Sequence, residues 1–102
     1  MTQFQIIFWR DIPVQVRVKN GRSRHTHPLS SRFQEAVHRA AFRAKSINGI
    51  EYIREWEPSE WQERDGDAEA VITAVTEELE SAYSDERLEQ ITRNKGYDPD
   101  DN

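Results

Sequence analysis

The chain has no cysteine among its 102 residues, which removes disulfides, thiol nucleophiles, cysteine-ligated zinc and iron–sulfur ligation at once. Long apolar runs are missing too. The longest, Ile6-Ile7-Phe8-Trp9, is far shorter than a membrane span or the core of a secretion signal. With no basic leader at the N-terminus either, a soluble cytoplasmic protein that does not enter a membrane is expected. Apolar residues make up only 35% of the chain, against 32% charged, so the length allows one domain with one thin core. Acids are scarce in the first half. Residues 1–49 hold nine Lys/Arg against Asp11 and Glu35, a balance of +7, whereas residues 50–102 hold five against seventeen acids, a balance of −12. A split of this kind bears on partners and docking rather than on fold.

What is present falls into periodic segments. Phe4 to Trp9 carries apolar groups on both alternating faces, the pattern of a central strand. Val14, Val16 and Val18 alternate with Gln15, Arg17 and Lys19, the pattern of a strand with one wet face. Asp11-Ile12-Pro13 makes the turn of a hairpin between them. Asn20-Gly21 ends the second strand, and residues 22–28 read as a polar, basic loop. Ser30 or Ser31 caps a helix, the latter in capping-box spacing with Gln34. On that helix Phe33, Ala36, Val37, Ala40, Ala41 and Ala44 form a small-residue stripe, with a stop between Ser46 and Gly49.

Residues 50–58 fit a strand or a helix, since Tyr52, Arg54 and Trp56 alternate but Tyr52 and Trp56 also stand one helical turn apart. Pro58 favours an edge strand broken by a bulge, which would put Trp56 and Trp61 on one face. Asp67 caps a second main helix with the stripe Ala68, Val71, Ile72, Val75, Leu79 and Ala82. Ser84 starts a short terminal helix with Leu88 and Ile91 as its contact face. The expected architecture is an α+β two-layer sandwich: a three-stranded, mostly antiparallel sheet in β-β-α-β-α order, with strand one central, two helices on one face and a short C-terminal helix. Residues 1–94 form the domain, and residues 95–102 are expected to fray.

The run Trp9-Arg10-Asp11-Ile12-Pro13 at a hairpin turn is more particular than a fold demands. Together with Arg32-Phe33-Gln34-Glu35-Ala36, Arg39 to Ala44, Tyr52 with Glu55-Trp56, and Asp85-Glu86-Arg87-Leu88, it resembles the small bacterial domain family called "virulence factor". Members of that family stand alone at about this length, or follow HEAT-like repeats in proteins similar to conserved virulence factor C. The resemblance covers nearly the whole chain and brings no catalytic or ligand residues with it. Stand-alone members beside folate- and corrinoid-dependent one-carbon genes imply an accessory role, and HEAT-like repeats are not present in this sequence.

Several clusters could carry chemistry. On the face of the first helix away from its stripe, Phe42 lies among Arg32, Arg39 and Arg43, an aromatic–arginine composition typical of interface centres. The alternative is that the terminal helix covers Phe42. Together with the hairpin end, Trp9, Arg10 and Asp11, this face is the expected protein-interaction surface. Arg22, Arg24, His25 and His27 form a candidate anion site, on the expectation that both main helices begin at the same end of the sheet; the alternative is a loop neutralised by Glu63, Asp65 and Asp67. His25 and His27 point the same way but lack a third metal ligand, so no metal site is expected. Arg10 and Asp11 would suit acid–base chemistry, yet nucleophile, base and oxyanion donor cannot all be assigned, so no catalytic residue and no cofactor are expected.

A non-catalytic accessory domain that docks onto a larger protein is the function expected. Opposite charges in the two halves would orient that docking, and they leave self-association open. The alternative is a domain that binds or turns over a small anionic substrate of one-carbon metabolism through Arg10, Asp11 and the basic loop. Nucleic acid is not the expected partner, because the acidic half would repel a polyanion and no RNA-recognition aromatic motif is present.

Overall fold

The computed structural model describes residues 2–45 and 49–99, with Ile50 and Glu51 described by their backbone alone. The elements are β1 (Thr2–Trp9), β2 (Ile12–Asn20), β3 (Ser23–Pro28), α1 (Ser31–Arg43), α2 (Ile50–Arg54), β4 (Trp56–Pro58), β5 (Gln62–Arg64), α3 (Ala68–Ala82) and α4 (Asp85–Arg93). The protein is therefore α+β with an antiparallel sheet, but the sheet has five strands where three were expected. The expected basic loop is an edge strand, β3, paired along β2 from Asn20↔Ser23 to Gln15↔Pro28. Gly21, at φ +61, supplies the left-handed residue that a two-residue hairpin turn places first.

Strand β1 is central as its two apolar faces require, with β2 on one side and β4 and β5 on the other. The segment with two readings takes both, as a short helix to Arg54 and then a strand from Trp56. Pro58 closes β4, and the ladder resumes at Gln62. In the gap Ser59 replaces strand pairing: its N–H donates to the Ile6 carbonyl at 2.8 Å and its hydroxyl accepts from the Ile6 N–H at 2.9 Å.

Phe4 stands opposite Val18 and Ile6 opposite Val16, so these four share a face, and Val71 and Val75 of α3 join them in the core. Helix α1 also packs on β2 and lies along α4. Its buried stripe is Phe33, Ala36, Val37, Ala40 and Ala41, while Ala44 is half-buried and Ala82, expected on the α3 stripe, is exposed. Asp67 and Ser84 cap α3 and α4, accepting from the N–H groups of Ala70 and Arg87. At α1 the cap position is Ser30, whose side chain makes no capping bond. Its N–H and hydroxyl both donate to the Glu80 carboxylate instead, at 2.8 and 2.9 Å. The stop expected at residues 46–48 lies outside the described residues; the helix ends by Arg43, and Lys45 has φ +60.

The two main helices begin at opposite ends of the sheet. Helix α1 follows the end of β3, where the Leu29 N–H donates to the Val14 carbonyl, whereas α3 follows Gly66, whose carbonyl accepts from the Thr2 hydroxyl at the start of β1. The expected convergence of both N-termini on the basic residues of β3 does not occur.

Candidate functional site

The β1–β2 turn, expected to face a partner, faces inward. Trp9 is 0% exposed and its indole N–H donates to the Tyr52 carbonyl at 3.0 Å. Arg10, at φ +52, lays its guanidinium 4.9 Å from the Trp9 ring centroid and 4.6 Å from that of Tyr97. The same guanidinium donates to the Lys95 carbonyl at 2.6 Å and reaches Glu55 at 3.7 Å. The Asp11 N–H donates to the Gly96 carbonyl at 2.9 Å, and its carboxylate accepts the Asp98 N–H at 2.7 Å. Residues 95–98 are thus bound to the hairpin, and Asp98, 2% exposed, pairs with Arg87 at 2.8 Å; residues 100–102 of the tail expected to fray lie outside the described residues. Trp9 is thus fully buried, while Arg10, bound to Lys95 and Glu55, still lines the hollow beside the turn. That hollow, of about 370 Å³, is lined by Phe8, Arg10, Asp11, Glu57, Ser59 and Tyr83 among others. The base and substrate clamp weighed for Arg10 and Asp11 are both committed to the C-terminal segment.

The α1 surface separates in the same way. Arg32 is bound by Glu80 and Asp85, at 3.1 and 3.2 Å, and it donates to the Glu80 carbonyl as well. Burial pushes the Glu80 carboxyl up, but hydrogen bonds from Ser30 and Arg32 outweigh it and hold it below the usual carboxylate range. Arg39 binds Glu89 at 2.8 Å, and that bond, opposed by desolvation and helped by Arg93, holds Glu89 low too. Phe42 is 73% exposed, so the terminal helix does not cover it. It lies in an open hollow of about 640 Å³ with His38, Arg39, Arg43 and Lys45. Arg43 and Lys45 have no ion pair among the described residues. His38 and Lys45 were not singled out from the sequence as members of this surface. His38 stands four residues before Phe42, a spacing that places neighbours on one helix face.

The four residues of the candidate anion site are divided by the period of the strand. Arg24 stands opposite Lys19, whereas His25 and His27 stand opposite Val18 and Val16, so Arg24 is on one face and the histidines on the other. Arg22 lies in the turn. Neither Arg22 nor Arg24 forms an ion pair among the described residues, so Glu63, Asp65 and Asp67 do not neutralise them. No group of three metal-ligating side chains exists among the described residues, and no helix there is long and apolar enough to cross a membrane.

Fold and surface together define a small α+β domain with a closed hairpin turn and two unneutralised basic patches. Its family is established by sequence: residues 7–92 match the family model described as Virulence factor, and the chain belongs to that family. It is similar to the uncharacterized protein YpgR of Bacillus subtilis (strain 168), at 38% identity over 81 residues, which is 79% of this chain and 20% of YpgR. The chain therefore spans about a fifth of the length of the curated relative it matches. No solved structure matches it.

Proposed function

We propose that this domain is an accessory, protein-docking module that holds a larger protein through the C-terminal end of α1. The observation that carries this reading is Phe42, an exposed aromatic in a hollow whose remaining lining, His38, Arg39, Arg43 and Lys45, is basic. Aromatic and arginine side chains dominate the energy of protein interfaces, and unpaired charges at the rim steer approach. The partner that fits is a protein segment with one apolar anchor flanked by acids. Support of a different kind comes from YpgR, in which the similar segment is one part of a much longer chain.

The test is capture of partners by the tagged protein from its own cells, at low and high salt. Phe42→Ser with Arg43→Glu is the variant of choice, because neither side chain contributes to the core or to an ion pair. Arg39→Glu is less clean, since it would set a new carboxylate against Glu89. A stoichiometric partner lost in the variant and at high salt supports the assignment. Capture that is undiminished in a folded variant removes the surface from consideration.

A further inference from the structure

We propose that the outer edge of β3 docks an extended acidic segment of a partner protein, which joins the five-stranded sheet as a further strand. Strand β3 ends the sheet with β2 as its one neighbour, and all six of its residues are exposed, so no element among the described residues covers its free side. The direction of each backbone group follows from the register. Asn20 and Ser23 flank a two-residue turn, which makes them the hydrogen-bonded closing pair of the hairpin, and bonded and non-bonded pairs alternate from there. Ser23, His25 and His27 therefore turn their N–H and C=O groups toward β2, whereas Arg24 and Thr26 turn theirs outward. None of those outward groups has a hydrogen-bond partner among the described residues. They stand two residues apart, about 7 Å, the repeat at which an added strand presents its own donors and acceptors.

The opposite edge of the sheet is poorly suited to the same task. It is made of β4 and β5, three residues each, and Pro58, which has no N–H, ends the first of them. On β3 the proline is Pro28, at the last position, so it limits the length of a docked strand without interrupting it. Charge then selects the occupant. Arg24 is exposed on the edge and Arg22 in the turn beside it, and neither forms an ion pair among the described residues. An added strand that sets a carboxylate opposite Arg24 gains a cross-strand pair, whereas a second copy of β3 would bring arginine-bearing edges together. The charges that keep two copies of this edge apart are thus the ones that favour an acidic strand over a neutral or basic one. Each cation acts on its own neighbour in the ladder, so no common point of binding is required.

The experiment is an NMR titration of the ¹⁵N-labelled protein with a capped heptapeptide of alternating Thr and Glu. Two reference peptides accompany it, one with Lys in place of Glu and one with the acidic sequence but every backbone nitrogen methylated. Saturable shifts are expected for the acidic peptide along residues 23–27, and the Arg24 and Thr26 amides should become slow to exchange with solvent. Thr26→Pro, which removes an outward N–H and none that faces β2, should abolish binding. Arg24→Glu, which alters only an exposed side chain, should weaken it by at least about tenfold, the worth of one charge-assisted hydrogen bond. Phe42→Ser should leave it unchanged, so that the edge is tested separately from the α1 surface. No saturable shift at β3, or equal binding of the methylated peptide, would mean that the basic residues only guard an exposed edge, and would overturn the proposal. Equal binding of the Lys peptide would overturn it too, because charge would then not select the partner.

Discussion

Gly96→Ala is the substitution that most directly tests how the hairpin turn is closed. Gly96 is buried and has φ +96. A Cβ there would lie 2.7 Å from Cζ3 and 3.2 Å from Cε3 of Trp9, and 3.1 Å from Cδ of Arg10. The indole cannot yield easily, because it is fully buried and its N–H is fixed on the Tyr52 carbonyl. Backbone strain at positive φ costs about 1–2 kcal/mol, and forcing a methyl into a packed contact costs about 1–3 kcal/mol more. The expected loss is therefore about 2–5 kcal/mol, which for a domain of this size lowers the melting temperature by about 10–30 °C.

Gly21→Ala separates the two contributions, since Gly21 also has positive φ, +61, but nothing lies within 4 Å of its Cβ position. It should lose only the backbone part, about 1–2 kcal/mol. Urea unfolding of both variants, followed by tryptophan fluorescence and far-ultraviolet circular dichroism, gives the difference directly. If Gly96→Ala falls within about 0.5 kcal/mol of Gly21→Ala, the usual range of an uneventful substitution, the C-terminal segment is not packed against Trp9 as described.

Two further outcomes can be checked by unfolding. Glu80→Gln weakens the link between α3 and the start of α1: because the folded-state pKa of Glu80 is depressed, the stability it gives is complete above the ordinary carboxylate range and is lost as the pH falls through the folded value. Wild-type and variant melting temperatures should differ at neutral pH and converge in acid, and curves that stay parallel would refute the linkage. Asp98→Ala and Arg87→Ala should each cost about 1–3 kcal/mol, the range for breaking a buried ion pair reduced for the partly exposed arginine, and a double-mutant cycle should show coupling of about 1 kcal/mol; additive losses would mean that the pair contributes nothing.

Elements with a strong hydrophobic period were legible in the sequence. Strands β1 and β2, the stripes of α1 and α3 and the caps Asp67 and Ser84 all follow from spacing that burial imposes. Strand β3 was not, because its six residues are all exposed and only backbone pairing holds them in place. The Asn20-Gly21 dipeptide before an extended basic run was the available signal, since a glycine that opens a two-residue turn predicts a returning strand. Helix α2 has five residues, too few for a 3.6-residue period to register. The Trp9-Arg10-Asp11 run stood out from the sequence, but its role did not. The carbonyl that Arg10 binds belongs to Lys95, 85 residues away, and no local pattern reports a contact of that separation.

The charge split has a meaning that only the structure could divide. Arg10, Arg32 and Arg39 of the basic half are bound to Glu55, Glu80, Asp85 and Glu89 of the acidic half, so part of the asymmetry joins the two halves of one fold. Most of those pairs are partly exposed, and such pairs contribute little to stability individually. They neutralise three arginines of the basic half, of which Arg39 still lines the hollow at Phe42. Among the described residues of the basic half, the cations without an ion pair fall into two groups, Arg43 and Lys45 beside Phe42, and Arg17, Lys19, Arg22 and Arg24 on the β2–β3 hairpin. The first group surrounds an exposed aromatic, the feature on which the proposed docking role rests. The second has a lysine stacked on an indole and two like charges directly opposed in the ladder. A total charge of −5 describes neither surface, because the local field is set by the cations that the fold leaves unpaired rather than by the sum.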